Sequence, residues 1–352
     1  MSDAKTGPPS TQEKTALRKL VRGIVLAQGN VFIKELLRKK DIRIGATKAN
    51  FESNLLAAID QGKLRGADVS EWLDEVEGWG DQHVYIFRVP LSVATDAIWT
   101  SSSKMEKLLK GAGLAKFWNA ETSWLYPSEL TLSGIYFDGK SLRFVWHQGL
   151  GAWVRSPAKD REEVIDDDRY QFRAYRERLD RLVMRFELRI EQRLAAVFMQ
   201  IPWGKKEHDD AMDIVAEAIK PLVKLSDLQP LAISTVIKTL DQTELNATTT
   251  AKRRITAQRA RLSDAGVYVE FANTTGSGGY KDSQAVRHVR RAVKPENFTG
   301  TNGFFLYHPE GDGSLEREAK IELFGNERRV RLWAQLTATE VWDILELLGK
   351  SA

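Results

Sequence analysis

Arg181 to Ile190 reads RLVMRFELRI, a stretch in which apolar residues recur at every second position. The apolar set is Leu182, Met184, Phe186, Leu188 and Ile190. A helical stripe would accept Leu182, Phe186 and Ile190, but it would leave Met184 and Leu188 on the opposite face. The period of two therefore predicts a β-strand, and we expect Leu194–Ile201 to return as its partner.

Further strands are predicted on both sides of this stretch. Asp138-Gly139 and Gly325-Asn326 each separate two apolar runs, which is typical of β-hairpins. Val267–Phe271 is predicted as a short strand, and Ser156–Asp168 as an acidic connection between strands. Aromatic residues cluster around this predicted sheet and could stack bases, although the pattern favours a place in the core. They are Trp118, Trp124, Tyr126, Trp146 and Trp153.

Helical spacing dominates the two ends of the chain. Residues 13–80 predict four helices, of which the third begins at Thr47 and the fourth covers Val69–Val76. After Gly204 the pattern predicts further helices, including a strongly basic one, and a closing helix at the end. These are Asp210–Leu225, Pro230–Leu240, Thr249–Ser263 and Thr337–Leu348.

The predicted fold class is α+β, with an N-terminal helical domain, a central antiparallel sheet and a basic C-terminal region. We expect a flexible tail over residues 1–12 and a helical domain over 13–80. A β-rich domain is expected over 81–204, and an α+β domain with a basic helix and a C-terminal hairpin and helix over 205–352.

Positive charge is concentrated in two segments. Lys14–Lys48 contains ten Lys or Arg against two Asp or Glu, and Lys252–Lys294 contains ten against three. The whole chain carries only +4, so the remainder sums to about −11. Positive charge concentrated in two segments of a chain with a small net charge indicates surfaces that face a polyanion.

The first basic segment has the pattern of two apolar helices joined by a short loop. It reads FIKELLRKKDIRIGATKANFESNLLAAI over residues 32–59, with Gly45 and Lys48 at the loop. Over residues 31–60 this pattern resembles the SAP motif, a small helix–loop–helix module, and the resemblance implies DNA binding.

The helix start at Thr47 favours an anion independently of the resemblance. Thr47 is a suitable N-cap, so the first N–H groups of the next helix would point outward beside Lys48, which suits a phosphate. The alternative is that these cations only solvate a helical domain. The predicted contact residues are Lys34, Arg38, Lys39, Lys40, Arg43, Gly45 and Lys48.

The second basic segment centres on AKRRITAQRARLSDAGVYVEFA, residues 251–272. A basic helix followed by a short strand resembles winged-helix domains over about 230–290, which implies that the helix enters the major groove and that a wing at Asn273–Lys281 touches the backbone. Ser283–Lys294 has helical spacing, which favours a helix over a second wing strand. The alternative to DNA contact is that the arginines of this segment pair with acidic residues of the protein. The predicted contacts are Lys252, Arg253, Arg254, Arg259, Arg261, Lys281, Arg287, Arg290 and Arg291.

Catalytic and cofactor patterns are weak. The chain has no cysteine, which excludes disulfides and thiolate metal sites, and its five histidines lack metal-ligand spacing. Glu318-Ala319-Lys320 matches the E-x-K of some nucleases, but no well-placed aspartate precedes it. We therefore expect no cofactor and no metal, and we favour a protein without catalysis.

The expected function is binding of double-stranded DNA through phosphate contacts from both basic segments, without strong sequence preference. Two alternatives remain: an assembly subunit whose acidic and basic faces bind other proteins or its own copies, and a nuclease with an unrecognised site. No apolar run is long enough to span a membrane and no secretory signal is evident, so we expect a cytoplasmic or nucleoid location without a membrane partner.

Overall fold

The computed structural model describes residues 11–27, 29–69, 72, 79, 81–120, 127–200, 205–246, 255–264, 267–273, 279–292, 298–309, 315 and 318–352. The chain divides into two compact units. The first comprises Met1–Val76, Thr122–Thr131 and His147–Leu182, and the second comprises Glu77–Glu121, Leu132–Trp146 and Val183–Ala352. The fold class is α+β, as predicted.

The helices are α1 (Thr11–Ala27), α2 (Asn30–Lys39), α3 (Lys48–Asp60), α4 (Leu91–Ala94), α5 (Ser102–Gly111), α6 (Lys205–Ile219), α7 (Ile233–Asn246), α8 (Gln284–Ala292) and α9 (Ala338–Lys350). The strands are β1 (Gln82–Arg88), β2 (Thr131–Phe137), β3 (Ser141–Arg155), β4 (Arg161–Ile165), β5 (Asp168–Phe172), β6 (Tyr175–Arg189), β7 (Leu194–Gln200), β8 (Gln229–Pro230), β9 (Ile255–Asp264), β10 (Val267–Ala272), β11 (Thr299–Tyr307), β12 (Ala319–Phe324) and β13 (Arg329–Leu332).

The helical part of the first unit has its own core. Each of α1, α2 and α3 buries one apolar stripe, since their apolar residues recur at three- and four-residue spacing. Phe51, Leu55 and Ile59 of α3 are buried as predicted, and so are Leu17, Leu20, Val21 and Val25 of α1. Residues 66–69 and 72 are helical, while the rest of the predicted fourth helix, Val69–Val76, lies outside the described residues.

A large sheet organises the second unit. Its strand order is β10-β9-β11-β12-β13-β1-β7-β6-β3-β2, with β8 paired to β1. The predicted pairing of Arg181–Ile190 with Leu194–Ile201 is confirmed by β6 and β7, which are antiparallel. Strands from both sides of residue 204 belong to this one sheet, because β1 pairs with β13 as well as with β7.

Both faces of the sheet are covered in its central part. On one face, α7 and α9 pack against alternate residues of the strands, including Val84, Leu323 and Val330. The other face carries His83 and Tyr85 of β1, and there His208 of α6 contacts both rings. The hairpins at Asp138-Gly139 and Gly325-Asn326 and the closing helix are confirmed.

Three expectations are wrong. Residues 255–263, predicted as part of a basic helix, form strand β9, since the two edges of that segment pair with β10 and β11. Ser156–Asp168 is not a plain connection, because Arg161–Ile165 pairs with Asp168–Phe172 as a hairpin. Trp153 is not in the core, since 72% of it is exposed.

Candidate nucleic-acid interface

The connection between α2 and α3 is tied to the start of α3. Thr47 caps the helix through its hydroxyl, which accepts from the Asn50 backbone N–H at 3.3 Å, and the Asn50 side-chain oxygen accepts from the Thr47 backbone N–H at 3.2 Å. Asn54 Nδ2 donates to the carbonyl oxygen of Arg43 at 2.6 Å. The connection is therefore held against two turns of α3 by neutral side chains.

Gly45 is required by this close approach. A Cβ atom at Gly45 would lie 2.1 Å from Asn50 Cβ, so any larger residue would displace the capping side chain. The predicted place of Gly45 in a tight loop, with Thr47 as the N-cap, is thus explained by a contact inside the module.

The cations of this module fall into two groups. Lys40 pairs with Asp68 at 2.6 Å, and Lys39 and Lys48 have further contacts within the protein. Among the residues that the structure describes, no acidic side chain lies within ion-pair distance of Lys34, Arg38 or Arg43. Arg38 and Arg43 are exposed and Lys34 is half-buried, so all three are accessible to a ligand.

The arginines of α1 are placed differently. Arg18 pairs with Asp60, and Arg22 Nε lies 3.2 Å from Glu52 Oε1, so both contact acidic residues of α3. The exposed acidic residues nearest in sequence to the accessible cations are Glu35 and Asp41. Lys34, Arg38 and Arg43 therefore lie together in sequence on α2 and the following connection, while the exposed Lys19, Lys63 and Arg65 lie elsewhere in the helical domain.

In the second basic segment, the described arginines of β9 are engaged within the sheet. Arg259 Nη2 lies 3.1 Å from Glu322 Oε1 and 3.2 Å from Asn302 Oδ1. Arg261 pairs with Glu270 at 2.5 Å and lies 4.8 Å from the ring centre of Tyr268. Pairing with acidic residues, the alternative to DNA contact, is what the structure has at these two positions.

The other predicted contacts of this segment are dispersed. Lys281 is buried, with 6% exposed, so its ammonium group is unsuited to the predicted phosphate contact. Arg287 is exposed on α8, which is a helix as the spacing of Ser283–Lys294 favoured. Arg290 and Arg291 lie on the same helix but their side chains are outside the description, as are Lys252, Arg253 and Arg254 altogether.

A buried cluster on the second face of the sheet has no counterpart in the sequence-based expectations. Tyr85 Oη lies 2.9 Å from His208 Nδ1, and Arg329 Nη1 lies 2.5 Å from His83 Nδ1. Burial, together with Arg329, lowers the pKa of His83 to about 3, and the same two causes lower the pKa of His208. Both imidazoles are therefore neutral at pH 7, and the guanidinium beside His83 disfavours a bound cation.

No sequence signal could have found this cluster, because Tyr85 and His208 are 123 residues apart. Within the described part of the chain, no group of three or more His, Asp or Glu is arranged to hold a metal ion. Glu318 of the E-x-K pattern contacts His308 Nδ1 at 3.1 Å. No helix in the described ranges is long and apolar enough to cross a membrane.

Comparison of the chain with protein-family models and with curated proteins finds no match to either. The site must therefore be interpreted from its own geometry.

Proposed function

We propose that the protein binds double-stranded DNA without catalysis, and that α2, the connection and the start of α3 make the principal phosphate contacts. The observation that carries the proposal is that Lys34, Arg38 and Arg43, close together in sequence on α2 and the connection, have no acidic partner in the described residues. They flank a helix start whose N–H groups favour an anion.

The chemistry of this surface supports backbone contact over base readout. Lysine and arginine contacts to phosphate fix a protein on the duplex but carry no sequence information. The connection is also held rigid by Asn50 and Asn54, so little ordering cost accompanies binding. We therefore expect affinity that depends strongly on salt and weakly on sequence.

The extent of the contact determines the salt dependence. If both basic segments bound phosphate through about ten contacts, the slope of log affinity against log salt would be roughly −9. If only Lys34, Arg38 and Arg43 bind phosphate, the slope is about −2.7. The ion pairs of Arg259 and Arg261 support the smaller value.

The test is fluorescence anisotropy with a labelled duplex over a salt series. The neutral-surface variant, K34Q/R38Q/R43Q, should bind more weakly and should flatten the slope by about 2.7. The matched control, K104Q/K107Q/K110Q, removes the same charge from exposed lysines of α5 and should keep the slope.

Equal loss in the two variants would mean that bulk charge, not the α2–α3 surface, drives binding. Unchanged affinity in the neutral-surface variant would refute the proposal. Single-stranded DNA and RNA of the same length, measured in parallel, identify the preferred nucleic acid.

A further inference from the structure

The hairpin of β4 and β5, residues 161–172, projects apolar and aromatic side chains into solvent. Every residue of both strands is exposed. Val164 is 67% exposed and Tyr170 46%, while Phe172 and Ile165 are each close to 40%. A two-stranded hairpin is marginally stable on its own in water, so exposed aromatic residues on one indicate a surface that another molecule covers.

This hairpin is nevertheless ordered at its base and along its length. Arg155 forms a bidentate ion pair with Asp160, and both residues bind the backbone of Ala174, which closes the base. Along the strands, the guanidinium of Arg161 lies 5.0 Å from the ring centre of Phe172. The aromatic side chains are thus presented by a defined ribbon.

The charge of the hairpin limits what can cover it. Residues 161–172 contain five acidic residues and two arginines, and the arginines pair with Glu162 and Glu163. Negative charge is left at the tip, where Asp166 and Asp167 both have positive φ angles in a two-residue turn. This surface repels nucleic acid and suits a partner that is basic and partly apolar.

A surface of that chemistry exists on the same chain. Beside Lys34, Arg38 and Arg43, the side chains of Val31 and Ile44 are 52% and 40% exposed. We call these five residues the basic surface. It combines positive charge that has no acidic partner in the described ranges with exposed apolar side chains, and the hairpin combines negative charge with exposed apolar side chains.

Among the described residues no ion pair joins the hairpin to Lys34, Arg38 or Arg43, and every residue of the two hairpin strands is exposed. We propose that the hairpin of one copy docks on the basic surface of a second copy, so that molecules associate head to tail. The inference rests on the complementarity of these two surfaces, and it places DNA and a second copy in competition for the basic surface.

The size of the hairpin sets the expected strength of this association. A ribbon of about ten residues buries less than the roughly 1,200 Å² at which stable complexes begin, so the contact should be transient. Because charge contributes on both sides, association should weaken with salt.

The test is sedimentation velocity over a range of protein concentration, with variants on each side of the contact. The turn variant, D166N/D167G, removes two carboxylates and substitutes the pair that best suits a two-residue hairpin turn, so the ribbon stays folded. The neutral-surface variant alters the other side. Each variant alone should remain monomeric, whereas an equimolar mixture should form a 1:1 heterodimer, because one intact contact is still available.

The control E106Q/E217Q removes two exposed carboxylates elsewhere and should associate like the unmodified protein. Association of the neutral-surface variant alone would show hairpin-to-hairpin pairing and overturn the proposal, and so would a monomeric unmodified protein at every concentration. The DNA proposal fails separately: if the mixture forms the heterodimer but no variant or unmodified protein binds duplex, the basic surface serves protein contact alone.

Discussion

Replacing Glu187 by glutamine isolates the contribution of one buried carboxylate to the stability of the second unit. Glu187 lies on β6 with its side chain 3% exposed, and three arginines surround it. Arg189 Nε is 3.0 Å from Oε1, while Arg143 Nε and Arg185 Nη1 are 3.9 and 4.0 Å from Oε2. The substitution keeps the shape of the side chain and removes its charge.

The magnitude follows from the charge that is left behind. Two unit charges 4 Å apart interact by about 4 kcal/mol at an effective dielectric constant of 20. Glu187 interacts with three cations, but its own desolvation offsets much of that gain, and removal of one partner from a buried pair costs about 3–5 kcal/mol. Arg185 also lies 3.7 Å from the ring centre of Trp79, and this contact remains in the variant. We therefore expect a loss of about 3 kcal/mol in the free energy of unfolding.

The assay is urea unfolding at pH 7 followed by tryptophan fluorescence, since Trp79 and Trp342 lie beside arginines of β6. A loss of about 3 kcal/mol should lower the midpoint by roughly 1 M urea. The control is Glu191→Gln, whose pair with Lys140 is 3.5 Å long between side chains that are 61% and 74% exposed. This control should lose less than about 1 kcal/mol. If E187Q loses no more than E191Q, the carboxylate does not compensate buried charge and the reasoning is refuted.

Three further outcomes are expected. Gly45→Ala should weaken the cap of α3 by displacing Asn50, with a loss of about 1 kcal/mol or more in thermal unfolding followed by circular dichroism; an unchanged melting temperature would contradict the close contact. The pKa of His83 is lowered from 6.5 to about 3, so its contribution to stability is complete above pH 6.5 and is lost as pH falls toward 3. Stability of H83Q should fall less steeply over that window, by up to about 1.4 kcal/mol per pH unit, and parallel curves would argue against a buried neutral imidazole. Because Asp166 and Asp167 occupy left-handed conformations, D166N/D167G should protect the β4–β5 amides from hydrogen exchange several-fold, by about 0.5–1 kcal/mol, and reduced protection would count against the turn assignment.

The elements that could be predicted from the sequence are those whose determinants are local. The stripe on α3 and the cap at Thr47 need only residues within one helix, and the turn at Asp138-Gly139 needs only its own two flanking runs. The pairing of β6 with β7 was accessible for the same reason, since a short turn joins the two strands. The class of fold and the helix–loop–helix frame follow from such local signals.

Strand β9 shows why the rest could not be predicted. Its sequence, ITAQRARLSD, is rich in residues that favour helix, and the local pattern indicates one. The conformation is decided by neighbours that are distant in sequence, as when Ile255 pairs with Tyr307. Pairing with strands that are distant in sequence overrides the helix propensity of this segment. The sequence alone does not indicate which strands will lie next to it in the sheet.

Ion-pair partners that are distant in sequence could not be predicted either, and in this respect the two basic segments differ. Arg259 counts as excess positive charge when charges are summed along the sequence, but in the fold it lies beside Glu322 of β12, which is 63 residues away.

The charge at a helix start can be predicted from the sequence when the capping residues are neutral and adjacent in the chain. Both α3 and α9 begin with a capping box, but the third residue is Asn50 in α3 and Glu340 in α9. A glutamate at that position neutralises the positive end of the helix dipole, whereas asparagine satisfies the same N–H group and leaves the field in place. The start of α3 therefore keeps the positive potential of its helix dipole, which is consistent with the proposed phosphate contact.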